Sequence, residues 1–211
     1  MFIKVVDDAL ERMLRAELPL PEEIGDVTFD APTSNWSAQL SRVTVNLFLY
    51  DVDRSAHASR SPQRRTNPDG VAERRPALPM VELSYLVSCW AGTSRDEHQL
   101  LGDVVSRIAG LDVLPERYFN GTAPGSSTII TFGTDTANKA REIWSSLGGQ
   151  LKASFTLQVS VAADTFGWGP EAPAVQRVQT LTRPMPMRPL SRSQLVKDGR
   201  TVEAGGHVLR K

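Results

Sequence analysis

The stretch VTVNLFLYDV, residues 43–52, decides the fold class. Its apolar residues recur at every second position (Val43, Val45, Leu47, Leu49), with Thr44, Asn46, Phe48 and Tyr50 between them. A period of two belongs to a β-strand, and one plainly apolar face implies an antiparallel or mixed sheet covered mainly on one side. The alternation returns in residues 81–90, where Val81, Leu83, Tyr85, Val87 and Cys89 oppose Glu82, Ser84, Leu86, Ser88 and Trp90. It returns again in residues 153–161, where Phe155, Leu157, Val159 and Val161 oppose Thr156, Gln158 and Ser160. Residues 27–30 and 128–132 read as shorter strands. The faces with Thr44, Asn46, Thr156, Gln158 and Ser160 read as too polar for a core, so any contact made there is expected to be wet.

Helical periodicity fills the spaces between these strands. In residues 4–18, Val6, Leu10, Met13, Leu14 and Leu18 form one stripe, and the LPLP that follows ends the helix because proline cannot continue it. Ser94 and Glu97 have the spacing of a capping box, opening a helix with Leu100, Leu101, Val104, Val105 and Ile108 inward, a main wall of the core. Residues 137–147 give a third helix, with Ala140, Ile143, Trp144 and Leu147 inward and Gly148-Gly149 as its stop. The expected class is α/β of the α+β type: a mixed, largely antiparallel sheet flanked by helices.

Two segments do not fit this pattern. Residues 53–79 form a polar, basic loop; between Arg54 and Arg75, the arginines Arg54, Arg60, Arg64, Arg65, Arg74 and Arg75 face only Asp69 and Glu73. With so little to bury, the loop is expected to be mobile and its arginines free for an acidic neighbour. Residues 163–211 read as an extended arm with Pro170, Pro173, Pro184, Pro186 and Pro189. Eight Lys/Arg against four Asp/Glu make the arm +4 within a chain of zero formal charge. Its scattered apolar residues, Trp168, Val175, Val178, Leu181, Met185 and Met187 among them, suit anchors on another subunit. Residues 175–182 suit a strand added to a neighbour's sheet, and Asp198-Gly199 suits a hairpin turn. The expected division is therefore a body of residues 1–162 and an arm of 163–211, with Arg60, Arg64, Arg65, Trp168, Val175, Val178, Leu181, Met185 and Met187 as partner-binding residues.

The residues give no sign of catalysis. His57, His98 and His207 lack metal-ligand spacing, and Cys89 with His98 makes only half of a zinc site. The single cysteine excludes an internal disulfide. GTAPGSST, residues 121–128, has phosphate-loop glycines without the lysine, and GGQ, residues 148–150, reads as a helix stop. No enzyme activity, metal or cofactor is expected. No apolar run approaches the ~18 residues of a membrane span, so no membrane partner is expected. A nucleic-acid-binding module using the arginines of residues 54–75 is the second reading, since clustered cations grip phosphates. That loop has no lysine, and no aromatic residue on which bases could stack.

Four ordered stretches, VDDALERMLRAELP (6–19), FDAPTSNWSAQLSRVTVNLFLYDV (29–52), LSYLVSCWAGTSRDEHQLLGDVV (83–105) and WSSLGGQLKASFTLQVSV (144–161), together resemble one family. It is the cap, or tail-terminator, proteins of contractile injection systems, and the resemblance is to their N-terminal domain across roughly residues 3–162. It implies a phage tail-terminator-like fold and a structural role. Six copies would form a ring on the distal end of the inner tube, ending tube growth and joining the last sheath layer. The partners implied are further copies of the chain itself, the inner-tube protein and the sheath protein. Assembly is expected in the cytoplasm, within a particle that is then released or kept inside the cell.

Overall fold

The computed structural model describes residues 2–59, 61–120, 128–133, 137–148 and 151–172. The chain divides into two units, Met1–Glu171 and Ala172–Lys211, and every element below belongs to the first. The strand expected over residues 175–182 and the hairpin at Asp198-Gly199 lie outside the described residues.

Helix α1 (Phe2–Glu17) buries Val6, Ala9, Leu10, Met13 and Leu14. Strand β1 (Gly25–Thr28) pairs in parallel with β2 (Val43–Arg54). Their close approach requires Gly25, because a Cβ there would lie 2.6 Å from the Val43 carbonyl oxygen. Short helix α2 (Ser34–Ser37) intervenes, its N-terminus capped by Thr33, whose hydroxyl accepts from the Trp36 amide at 3.2 Å. After β2 come β3 (Gln63–Thr66), β4 (Ala72–Arg75) and β5 (Met80–Trp90). Helix α3 (Ser94–Ile108), a 3-10 turn (Glu116–Tyr118), β6 (Ile129–Phe132), α4 (Ala137–Ser146), β7 (Ser154–Ala162) and β8 (Gly169–Pro170) complete the unit.

The main sheet has the order β1-β2-β5-β7-β6, antiparallel except for the first pair. A mixed, largely antiparallel sheet with helices is thus the observed architecture. One face carries the apolar alternation: Val45, Leu47, Leu83, Tyr85, Val87, Leu157, Val159 and Val161 form one cluster with the buried stripe of α1 and with Val104 and Ile108 of α3. A register shift between Leu49 and Asp51 brings Val52 opposite Leu83, on the face of Leu49.

Three expectations need correction. The principal wall of the core is α1, since α3 buries only Val104 and Ile108 and leaves Leu100, Leu101 and Val105 half-buried. The cap of α3 is Thr93, whose hydroxyl accepts from the Asp96 amide at 3.2 Å and donates to the Asp96 carboxylate at 2.7 Å. This moves the box one residue earlier and frees Glu97 to pair with Lys152. The polar face of the sheet is also no open surface: Thr44, Asn46, Ser88, Thr156 and Ser160 are buried and Gln158 is half-buried. Their polar atoms find partners at short range. Thr28 donates to Asn46 at 2.9 Å, Asn46 donates to the Asp30 carbonyl at 3.0 Å, and Ser55 and Ser160 share a hydrogen bond of 2.9 Å. Alternation reports side-chain type, and polar side chains are buried wherever hydrogen bonds satisfy them.

Candidate functional site

Two regions outside the apolar core concentrate the unusual residues. The first is an aromatic clasp at the Trp90 end of the main sheet. Trp36 of α2 meets Trp90 of β5 edge-on at 5.4 Å between centroids, and Trp90 meets Trp144 of α4 at 6.2 Å. Each indole N–H donates to a nearby oxygen: Trp36 to Asp30 at 3.2 Å, Trp90 to Ser88 at 3.1 Å and Trp144 to Ser154 at 3.0 Å. The Lys152 ammonium lies 3.9 Å from the Trp90 ring centroid and pairs with Glu97. Ser34 at the start of α2 donates to the Gly148 carbonyl at 2.9 Å, beyond the end of α4. The segment 29–36 thus works as a tie: Asp30 and Thr33 fix α2, and Trp36 carries it onto Trp90. Beside the clasp opens a cleft of about 570 Å3 lined by Pro32, Trp90, Glu97, His98, Leu151 and Lys152 among others.

The second region is the basic loop, which is ordered rather than structureless. Residues Asn67 to Gly70 form a tight turn. Asn67 Oδ1 accepts from the amides of Asp69 at 3.1 Å and Val71 at 2.8 Å, and Gly70 takes a φ of 78° that favours glycine. The turn joins β3 to β4, and β8 pairs with β4 to make a three-stranded sheet. The signal was present in the sequence, because Asn-Pro-Asp-Gly between two short polar runs encodes a turn. A reading based on apolar periodicity passes over it, since neither run has an apolar face.

The structure places the expected partner-binding residues as follows. Arg64 is exposed on β3 and pairs with Glu171 at 2.9 Å. Arg65 pairs with Glu73 at 2.7 Å, its guanidinium 4.3 Å from the Trp168 ring centroid. Arg75 pairs with Asp164 and donates to the Phe166 carbonyl at 2.8 Å. Arg65 and Trp168 therefore come together, whereas Arg64 points to the opposite face of the small sheet and pairs with Glu171 of this chain. Only Arg54 and Arg74 of the described arginines in the loop are left without an ion pair. This neutralisation takes away the cluster of free cations that a nucleic-acid groove needs. Arg60, Val175, Val178, Leu181, Met185 and Met187 lie outside the described residues, as do Gly149 and Gln150 of GGQ and residues 121–127.

Titratable groups serve packing. Burial pushes the Cys89 thiol up to about 12, with Glu97 adding to the shift. Burial also raises the Asp7 carboxyl above its ordinary value, although the Tyr85 hydroxyl donates to it at 2.7 Å. Tyr85 is raised in turn, first by burial and then by the Asp7 charge. Among the described residues no group of His, Cys, Asp and Glu could hold a metal ion, and no helix is long and apolar enough to cross a membrane.

A family model described as the Pvc16 N-terminal domain matches residues 5–177. No curated protein sequence matches the chain. Two solved structures are similar in fold. One is the sheath/tube terminator of an extracellular contractile injection system, PVC, in the extended state, with a TM-score of 0.59 and 20% identity over 87% of this chain. The other is the tube-terminating cap of the anti-feeding prophage, with a TM-score of 0.57 and 22% identity over 88% of this chain. At such identities the likeness is one of fold. The chain spans 65% and 63% of the lengths of those two proteins.

Proposed function

This chain belongs to the Pvc16 N-terminal domain family, and on that premise we propose that it caps the distal end of a contractile injection particle. It terminates the inner tube as a ring of six copies and joins the last layer of sheath. The observation that carries this reading is the fold shared over 87% of the chain with a sheath/tube terminator. The site geometry is consistent with it. The polar groups of the clasp are hydrogen-bonded within the chain, the cysteine thiol is buried, and the reading assigns the chain a structural rather than a catalytic role. A ring subunit offers two different surfaces to its neighbours, so a contact that closes gives a ring and one that does not gives a filament. Assembly takes place in the cytoplasm, and the finished particle is the chain's place of work.

The test is to produce tube and sheath proteins with and without this chain and to measure particle length. With it, lengths should be uniform and the chain should be found at one end only. Without it, a broad distribution with ragged distal ends is expected. Uniform lengths without the chain would overturn the proposal.

A further inference from the structure

The two faces of the small sheet differ in a way that points to a ligand. Side chains alternate along a strand, so the register of β3 and β4 sets Arg65 and Glu73 on one face and the cross-strand pair Arg64 and Arg74 on the other. Like charges directly opposite each other destabilise a ladder. Glu171 relieves Arg64, at 2.9 Å. Among the described residues no carboxylate reaches Arg74.

Arg74 borders a groove of about 610 Å3 whose other walls include Pro62, Pro76, Ala77, Phe166 and Pro170. Phe166 is 43% exposed there. Gly169, the register partner of Arg74, and Gly167 also line the groove. A Cβ added at either glycine would meet no atom within 4 Å, and neither takes a positive φ. The backbone therefore does not demand glycine at these positions, and the lack of side chains keeps the groove open.

We propose that this groove binds an extended acidic segment of a partner protein. A carboxylate of the segment pairs with the Arg74 guanidinium, and an apolar side chain packs on Phe166 and the prolines. The charge left unmatched at Arg74 sets the sign of the partner. Residues 172–211 carry eight Lys/Arg and two Asp/Glu, so the tail of a second copy has the wrong charge. The occupant is a different protein. The inference goes beyond the capping role and does not depend on it.

The test uses full-length protein as bait for a displayed library of random peptides. Enriched peptides should carry Asp or Glu within a few residues of an aliphatic or aromatic side chain. Their synthetic forms should lose about tenfold or more in affinity when the acid becomes its amide, or when the protein carries Arg74→Ala. Gly169→Leu should fill the groove and abolish binding at an unchanged thermal midpoint, and Arg95→Ala, an exposed change on α3, should leave binding intact. The proposal is overturned if no peptides are enriched, or if those enriched lack acids. Binding that survives both groove variants also overturns it, as does self-association of the chain that is lost on Gly169→Leu, which would make a second copy the occupant.

Discussion

The main sheet and the small sheet are built from the same chain by different forces. The main sheet buries Leu10, Leu14, Tyr85, Val87 and Leu157 with no exposed surface, and such burial is worth roughly 25 cal/mol per Å2 of apolar area and is not screened by salt. In β3 and β4 no residue is buried. A tight turn, a short ladder and the ion pairs of Arg64, Arg65 and Arg75 hold that sheet, and an exposed ion pair is worth about 0–1 kcal/mol before salt screens it. One region is thus a fixed scaffold. The other is a surface element of low local stability, the kind of element from which binding regions are drawn.

The largest expected effect lies in the aromatic clasp of the scaffold. Trp144 is buried on the polar side of the main sheet, hydrogen-bonded to Ser154. Trp144→Ala should cost about 3–5 kcal/mol in denaturant unfolding. A cost below about 1 kcal/mol would mean that the aromatic clasp is only an attachment, and the contrast between the two sheets would weaken.

Next comes the hydrogen bond between β5 and α1. Tyr85→Phe removes the donor from the Asp7 carboxylate, with an expected cost of about 1–3 kcal/mol at neutral pH. The Asp7 carboxyl is raised above 3.8 in the folded state, first by burial, so the folded protein binds more protons than the unfolded chain just above that pH. Stability should therefore fall as pH rises through that window. Asp7→Asn should flatten this part of the stability curve, and an unchanged slope would assign the pH dependence to other groups.

Truncation separates the regions more finely. Cutting after Asp164 removes Trp168, β8 and Glu171, whereas cutting after Ala172 keeps them. Both products should keep the main sheet folded. Only the shorter one should lose hydrogen-exchange protection at the amides of β4. Equal protection in both would show that β8 adds nothing to the small sheet.

The smallest effects belong to the ion pairs themselves. Arg64→Ser and Arg65→Ser should each change global stability by no more than about 0.5–1 kcal/mol. Raising the salt from about 0.15 M to 1 M, which shortens the screening length from about 8 to 3 Å, should bring the wild type closer to the variants in β4 protection. A loss of several kcal/mol in either variant would place the small sheet within the core.

Apolar periodicity made most of the scaffold legible. The stripe of α1 and the alternation of Val45, Leu47, Leu83, Tyr85, Leu157 and Val159 mark the core side of each element they belong to. Periodicity could not show that Asn46 and Ser160 would be buried, because their partners, Thr28 and Ser55, are set by tertiary geometry. The ion pairs were illegible for the same reason: Arg75 and Asp164, or Arg64 and Glu171, stand about a hundred residues apart and meet only once β8 has returned to β4. The clasp was half visible. The segment around Trp36 carried the resemblance to cap proteins, and its physical task, holding α2 to Trp90, emerged only from the coordinates.

The central claim is that this chain closes the tube as a ring, and electron cryo-microscopy of distal particle ends tests it most directly. The account predicts six copies of the α/β body in one ring on the last tube layer, with heterologous contacts between neighbours. Distal ends that lack the chain, or that carry it solely as a two-fold dimer, would contradict it.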